Sequence, residues 1–321
     1  MADHTHPATR ATQPPPDEDS RASCPICGGA LSAPLLEGHD RLHGTPGTFS
    51  VARCHSCGLA VTLPVVAPAQ LQSLYPAPYA TYDTLPTGAL GLLSRTAQRL
   101  LSWQALHTTP FDRLAREPAG RLLEVGCGRG DLGSWLLQRG WSVVGVEPSA
   151  QACAVARRRG IDARVGTLAE VELEAHAYDV VVFRHSLEHI PDPVADLRLA
   201  RLALRDGGMA IVSLPNFGCW QRRLFGSRWF HLELPRHRVH FDASSLETAL
   251  TRAGFAHVET LTTSSGGGLP ASIQYAVANR CLFPSGLKLR VAVAACELTT
   301  PLSWFISRLA GGGDLLHAIA T

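Results

Sequence analysis

The sequence predicts an α/β protein built on a doubly wound, mostly parallel sheet, preceded by a small cysteine-rich module. Two patterns carry the prediction. From Gly120 onward, short apolar runs alternate with stretches of helical periodicity, which is the signature of β–α–β units. Ahead of them, four of the nine cysteines stand as two C-x-x-C pairs. With 321 residues, 45% of them apolar, the chain can bury one large core and still carry a small module.

Taken in order, residues 1–20 read as a disordered tail, because Pro14–Pro16 and the acidic cluster after them offer no core-forming pattern. Residues 21–63 form the cysteine module. Residues 64–117 form a linker rich in Pro and Tyr, including Tyr75, Tyr79 and Tyr82, followed by a helical cap with apolar spacing from Leu90 to Leu101. Residues 118–321 form the α/β domain. Strands are expected at Arg121–Val125, Ser142–Val146, Ala163–Val165, Asp179–Phe183, Met209–Leu214 and His257–Thr260, with a closing strand in "GGGDLLHAIAT" as the seventh. Helices are expected at Asp131–Arg139, Ala150–Arg159, Pro193–Leu204 and Ser244–Ala253. A low-charge insert spans 265–310 and reads as short apolar helices broken at Arg280, Pro284 and Pro301.

Cys24, Cys27, Cys54 and Cys57 lie in two knuckle-like settings, "CPICGG" and "CHSCGL", with 26 residues between the pairs. Four thiolates so arranged suit a tetrahedral, structural Zn²⁺ with no open position for substrate. The sequence "LLEVGCGRGDLG" after the first strand is open to two glycine frames. The strand ends at Val125, so Gly126 is the first glycine and Asp131 falls where the dinucleotide fingerprint needs its third. What survives is Glu124, Gly126, Gly128 and Gly130, a loop that lets a ligand approach the backbone beside an acidic group able to meet a cation. The next strand ends in Glu147, placed to hold ribose hydroxyls of any adenosine ligand.

Four ordered stretches, "LLEVGCGRG", "VVGVEPS", "YDVVVFRHSLEHIPDP" and "LRDGGMAIVSLPN", resemble the class I S-adenosylmethionine (SAM) dependent methyltransferases over about residues 120–261. The resemblance implies a Rossmann-like, seven-stranded domain. It implies SAM bound over Gly126, Gly128 and Gly130 near Glu124, with Glu147 on the ribose. Gly166, Thr167 and Leu168 then lie around the adenine, although the acidic residue usual in that loop is missing, and Arg184 joins the cofactor-binding set. The cysteine module with "YPAPYATYD" is similar to a subgroup that includes sugar C-methyltransferases, whose large extra C-terminal domain this chain lacks. "SLEHIPDP" resembles ubiquinone-pathway O-methyltransferases, in which acidic and histidine residues hold a divalent metal. Glu188 and His189 match that pattern, while His185 stands where an acidic residue is usual. Mg²⁺ assistance is therefore the less favoured alternative.

Methyl transfer is an in-line displacement, and a base is needed only where the acceptor must lose a proton. Base candidates cluster after the fourth and fifth strands: His185 and His189 in "FRHSLEH", and His231, His237 and His240 in "FHLELPRHRVHF". His237 and His240 rank first, and His189, beside Pro191, is equally readable as a structural hydrogen-bonder. The expected acceptor is a small-molecule, sugar or lipid-linked compound, methylated at oxygen or carbon. Basic and acidic residues nearly cancel (29 against 27), so no nucleic-acid partner is expected. The rival readings are a zinc-module rRNA methyltransferase and a non-catalytic SAM-binding or interaction protein. The N-terminus has no apolar signal segment and no run approaches the ~18 apolar residues of a spanning helix, which predicts a cytoplasmic chain. The insert leaves peripheral membrane contact and a homodimer interface as options.

Overall fold

The computed structural model describes residues 23–66, 74, 109–265, 267–282 and 300–321. The expected tail, the three linker tyrosines, most of the helical cap and the middle of the insert lie outside them.

In chain order the strands are β1 (Leu36–Gly38), β2 (Phe49–Arg53), β3 (Ala60–Leu63), β4 (Arg121–Val125), β5 (Ser142–Glu147), β6 (Asp162–Val165), β7 (Tyr178–Arg184), β8 (Leu204–Pro215), β9 (Val239–His240), β10 (Val258–Thr263) and β11 (Leu315–Ala320). The helices are α1 (Phe111–Arg116), α2 (Asp131–Leu137), α3 (Ala150–Arg158), α4 (Pro193–Ala203), α5 (Trp220–Phe225), α6 (Ala243–Arg252), α7 (Gly268–Ala278) and α8 (Thr300–Ala310). Seven strands form one sheet in the order β10-β11-β8-β7-β4-β5-β6. All its pairings are parallel except the two made by β11, which runs antiparallel to β8 and β10. This is the Rossmann-like α/β architecture that the alternation predicts.

The local chemistry explains the element ends. β4 and β7 read as near-continuous apolar runs because helices cover both faces of the sheet, and Leu122, Leu123, Val181 and Phe183 are fully buried. α4 starts where the Asp192 carboxylate accepts the Ala195 N–H at 3.0 Å and Pro193 takes the first helical position. α6 starts on a capping box between Asp242 and Ser245. β8 begins five residues earlier than expected, through a bulge at the Asp206–Gly208 stretch that shifts its register on β7.

Two short elements have no signature in the sequence, α5 and β9. The latter organises the molecule. β9 does not join the large sheet; it pairs antiparallel with β3, giving a four-stranded sheet in the order β1-β2-β3-β9. The cysteine module is thus completed by residues from the far end of the chain. Its apolar side chains Ile26, Leu59 and Val61 belong to the same core as Val125 and Phe183 of the large sheet.

A buried ion pair reinforces this seam. Both guanidinium nitrogens of Arg236 donate to the Asp40 carboxylate, at 2.8 and 2.9 Å, and neither side chain is exposed. Burial alone would raise the Asp40 pKa, but Arg236 overrides it and holds the carboxylate well below its ordinary 3.8. Asp40→Asn is expected to destabilise the fold by about 3 kcal/mol, since it takes the bidentate partner from a buried cation and leaves it only Glu233, at 3.0 Å from Nε. A carboxylate with a depressed folded pKa contributes its stability above about pH 4 and loses it as pH falls below. The gap between wild type and Asp40→Asn in urea unfolding should therefore be constant near neutrality and shrink in acid. A gap independent of pH would refute this account.

Candidate functional site

The parallel strands end their carboxyl termini along one edge, and the expected site residues collect there. β4 runs into Gly126, Gly128 and Gly130, all in the left-handed region with φ of 73°, 53° and 76°. A Cβ on Gly126 would overlap Ser186 and one on Gly130 would overlap Ile161, whereas Gly128 faces space with no atom within 4 Å. The loop is thus closed against the protein at both ends and open in the middle.

Two carboxylates flank it. Glu147, at the tip of β5, accepts the Gly128 N–H at 3.0 Å and the Ser149 N–H at 2.9 Å. Each oxygen keeps a second lone pair for a ligand hydroxyl. Glu124 is 1% exposed, one of its oxygens has no hydrogen-bond partner, and the other lies 4.0 Å from Arg184 Nε. Burial pushes the Glu124 carboxyl up to about 7, with the Arg184 charge opposing. Gly166 follows β6 and donates its N–H to the Glu147 carbonyl at 3.1 Å. Thr167 is held by the Glu170 carboxylate, and Leu168 is buried. All nine residues expected around a cofactor therefore lie along this one edge.

The second half of the site follows β7. His185 sits on it with φ of 52°, an unusual conformation for a residue bearing a Cβ, and its side chain is 44% exposed. Its backbone N–H donates to the Ser213 carbonyl of β8. A short 3₁₀ turn, Leu187–His189, then buries Glu188, neither oxygen of which has a hydrogen-bond partner among the described residues. His185 Nδ1 lies 3.6 Å from Glu188 Oε1, and His237 Nε2 lies 3.9 Å from the same atom. Burial works against the charge on Glu188, but His185 and the nearby rings hold its pKa below the ordinary value.

The remaining histidines are fixed by hydrogen bonds that define their protons. His237 Nδ1 is 2.8 Å from the His231 carbonyl, which can only accept, so the proton is on Nδ1 and the lone pair is on Nε2. His189 Nδ1 donates likewise to the Arg236 carbonyl at 3.1 Å. His240 Nε2 is 2.9 Å from the Thr62 hydroxyl. Burial drives the His237 pKa well down and that of His240 down to about 3. His231 turns away to Asp314 at 3.1 Å. His185, Glu188, His189 and His237 are thus brought together, with His240 behind them. Thr62, Asp40 and Arg236 buttress this group and carry no motif that singles them out.

Among the described residues, two groups of side chains could hold a metal ion. The four sulfurs of Cys24, Cys27, Cys54 and Cys57 converge, with Cys24–Cys57 and Cys27–Cys54 separations of 3.4 Å. Glu188, His189 and His237 also offer ligand atoms within 4.8 Å of one another.

A family model described as a methyltransferase domain matches residues 96–260. A Mycolicibacterium smegmatis protein named "Probable S-adenosylmethionine-dependent methyltransferase" is 33% identical over 171 residues, covering 52% of this chain and 64% of that protein. A Hahella chejuensis ubiquinone biosynthesis O-methyltransferase is 34% identical over 113 residues, covering 33% and 48%. The chain thus spans about half to two-thirds of these curated relatives. Among solved structures, a SAM dependent methyltransferase from Archaeoglobus fulgidus aligns with a TM-score of 0.45 at 16% identity, covering 73% of this chain and 94% of that one. The phosphoethanolamine N-methyltransferase 2 of Haemonchus contortus aligns at 0.46 and 17%, covering 64% and 49%.

Glu124→Gln keeps the shape of the side chain and removes a buried charge that has only the 4.0 Å pairing with Arg184 to offset its burial. A carboxyl whose folded pKa is raised from 4.5 to about 7 increasingly opposes folding as pH climbs through that window. The variant should therefore match wild type near pH 4 and exceed it by up to about 3 kcal/mol at pH 8. Unfolding midpoints that stay parallel across the range would contradict a carboxylate whose burial outweighs its pairing with Arg184.

Proposed function

This chain belongs to the methyltransferase-domain family, and from that premise we propose that it transfers a methyl group from SAM to an oxygen or carbon atom of a small-molecule, sugar or lipid-linked acceptor. The observation that carries the reading is the buried, half-satisfied Glu124 beside the open centre of the glycine loop. Such a carboxylate suits a ligand that brings its own cation, as the amino group of SAM does. Gly126, Gly128 and Gly130 would form the floor, and Glu147 would hold ribose hydroxyls through its spare lone pairs. Gly166, Thr167 and Leu168 would border the adenine, and Arg184 would act as the counter-ion that keeps Glu124 in place. SAM supplies a methyl group on a sulfonium centre, so the protein's own task is to position the acceptor and manage its proton.

The geometry favours His185 over His237 and His240 as the base. A ring nitrogen whose pKa is held near 3 takes up a proton poorly at neutral pH, which argues against His240, and burial likewise drives the His237 ring well below its ordinary value. His185 instead is exposed, with Nδ1 3.6 Å from the Glu188 carboxylate and Nε2 not engaged by that contact. The carboxylate would orient the ring so that Nε2 could take the acceptor's proton. His189, His237 and His240 then serve as the wall behind this pair.

Four converging sulfurs with no other donor among them support a structural Zn²⁺ in the cysteine module. A second reading, that a divalent metal assists at Glu188, His189 and His237, is favoured by the two unbonded oxygens of Glu188. Two imidazoles and one carboxylate suit Zn²⁺ or Mn²⁺ better than the Mg²⁺ of the sequence-based alternative. Near-neutral charge supports a small acceptor over RNA. Exposed Val277, Trp304, Phe305 and Leu309 on α7 and α8 support peripheral contact with a membrane or a second copy. No helix of the described residues is long and apolar enough to cross a membrane.

Calorimetry with SAM and its demethylated product tests the cofactor reading; if neither binds, it fails. With an acceptor found by a labelled-SAM metabolite screen, His185→Ala should lower turnover by about 10²–10⁴-fold while SAM affinity stays within a small factor. Turnover lost on His240→Asn but kept in His185→Ala would return the role to the buried histidines. For the metal reading, Co²⁺ should bind in two equivalents, one with thiolate charge-transfer bands and one without. Glu188→Gln should abolish only the second. A single, thiolate-type equivalent in wild type would dismiss the assisting metal.

A further inference from the structure

β9 carries His240, yet its backbone partners are in the cysteine module: Ala60 pairs with His240 and Val61 with Val239. The next module residue, Thr62, makes three contacts to the same segment. Its N–H donates to the Arg238 carbonyl at 2.9 Å, its hydroxyl donates to the His237 carbonyl at 2.7 Å, and its hydroxyl oxygen lies 2.9 Å from His240 Nε2. A hydroxyl has one proton, and a carbonyl can only accept. The Thr62 proton is therefore committed to His237, and the oxygen must accept a proton from His240 Nε2. Thr62 thereby fixes His240 as the Nε2–H tautomer, with Nδ1 as the only ring nitrogen able to accept.

The connection continues toward the candidate base. Arg238, whose carbonyl is held by Thr62, donates its own N–H to the Glu188 carbonyl at 2.9 Å. Arg236, clamped by Asp40 of the module, offers the carbonyl on which His189 Nδ1 rests. The cysteine pair Cys54 and Cys57 closes the turn between β2 and β3, where Cys54 N–H donates to the Leu59 carbonyl. That turn leads directly into the strand bearing Thr62.

We propose that the cysteine module is a built-in wall of the acceptor site, in which Thr62 is a positioning residue that fixes the tautomer of His240 and the placement of segment 233–240 against Glu188 and His189. The inference rests on the acceptor-site reading above only for what the wall faces; the positioning itself is independent of any bound ligand. It separates two tasks. The seven-stranded sheet places the cofactor loop, and the small sheet places the acceptor side.

The test uses the full chain with Thr62→Val, which keeps the shape and removes the hydroxyl, and Thr62→Ser, which restores it. In Thr62→Val, amide exchange across residues 233–240 and 187–190 should rise by about five- to tenfold, the equivalent of one lost hydrogen bond, while residues 121–147 change less than about twofold. Imidazole ¹⁵N spectra should show His240 as the Nε2–H tautomer in wild type and Thr62→Ser, and as a mixture in Thr62→Val. SAM affinity should be equal in all three. Exchange that is unchanged in 233–240, or that rises equally in 121–147, overturns the proposal. So does a His240 tautomer that Thr62→Val leaves untouched, or a defect that Thr62→Ser does not repair. Failure of the wild type to bind SAM would instead count against the proposed function, since neither exchange nor tautomer requires the cofactor.

Discussion

Arg238 donates its backbone N–H to Glu188 and offers its carbonyl to Thr62, and through these two groups of one residue the two sheets of the molecule are joined. Each bond satisfies a backbone group that would otherwise be buried without a partner, so neither can be given up cheaply. The side chain of its neighbour, Arg236, lies in the same seam, fully buried on Asp40. A buried ion pair is weak evidence for net stability, because desolvation offsets most of the attraction. Its geometry is nonetheless demanding. Two parallel N–H···O bonds accept only one placement of segment 233–240 relative to the module, and the pair acts as a register pin.

This pin matters because the carboxyl edge of the large sheet holds two buried carboxylates that folding alone does not justify. One oxygen of Glu124 and both of Glu188 have no hydrogen-bond partner among the described residues. Leaving such a group unmet costs about 1–3 kcal/mol or more per atom. Elsewhere the molecule spends its hydrogen bonds carefully. Asp40, also buried, takes two bonds from Arg236 and four more from Leu42, His43 and Thr45. Asp40 and the two glutamates are equally buried, and it is the hydrogen bonds, not the burial, that set them apart.

The same contrast explains what could be read from the sequence. The parallel strands were legible because a sheet covered on both faces demands apolar runs such as "VVVF", and these lie within one or two residues of the observed ends for β4 to β7. The glycine frame was legible because a strand end fixes which glycine comes first, and Glu147 because it terminates the next strand. The cysteine pairs announce themselves by spacing. β9 could not be read, since two residues carry no period and their partner lies about 180 positions away. The ranking of the histidines proposed from the structure differs from the one read from the sequence for a related reason. Spacing singled out five histidines, but exposure and the partner of each ring nitrogen are properties of the packed structure, and these set the exposed His185 apart from the buried His237 and His240. Asp40 and Thr62 look like ordinary loop and strand residues until Arg236 and His240 arrive beside them.

A module of some forty residues cannot supply enough apolar burial to hold itself rigid. Here two devices compensate. Four sulfurs converge at the turn ends of the small sheet, and Ile26, Leu59 and Val61 extend the core of the large one. The first stiffens the module from within, and the second denies it independent motion. A small sheet fused in this way to the core of the large one is poorly suited to act as a lid, which must move, and well suited to act as a fixed wall. The large sheet has its own source of rigidity in parallel strands buried on both faces. The wall opposite it has only β9, two residues long, and the segment around it. Rigidity on that side must come from the module, and Thr62 is where it is delivered.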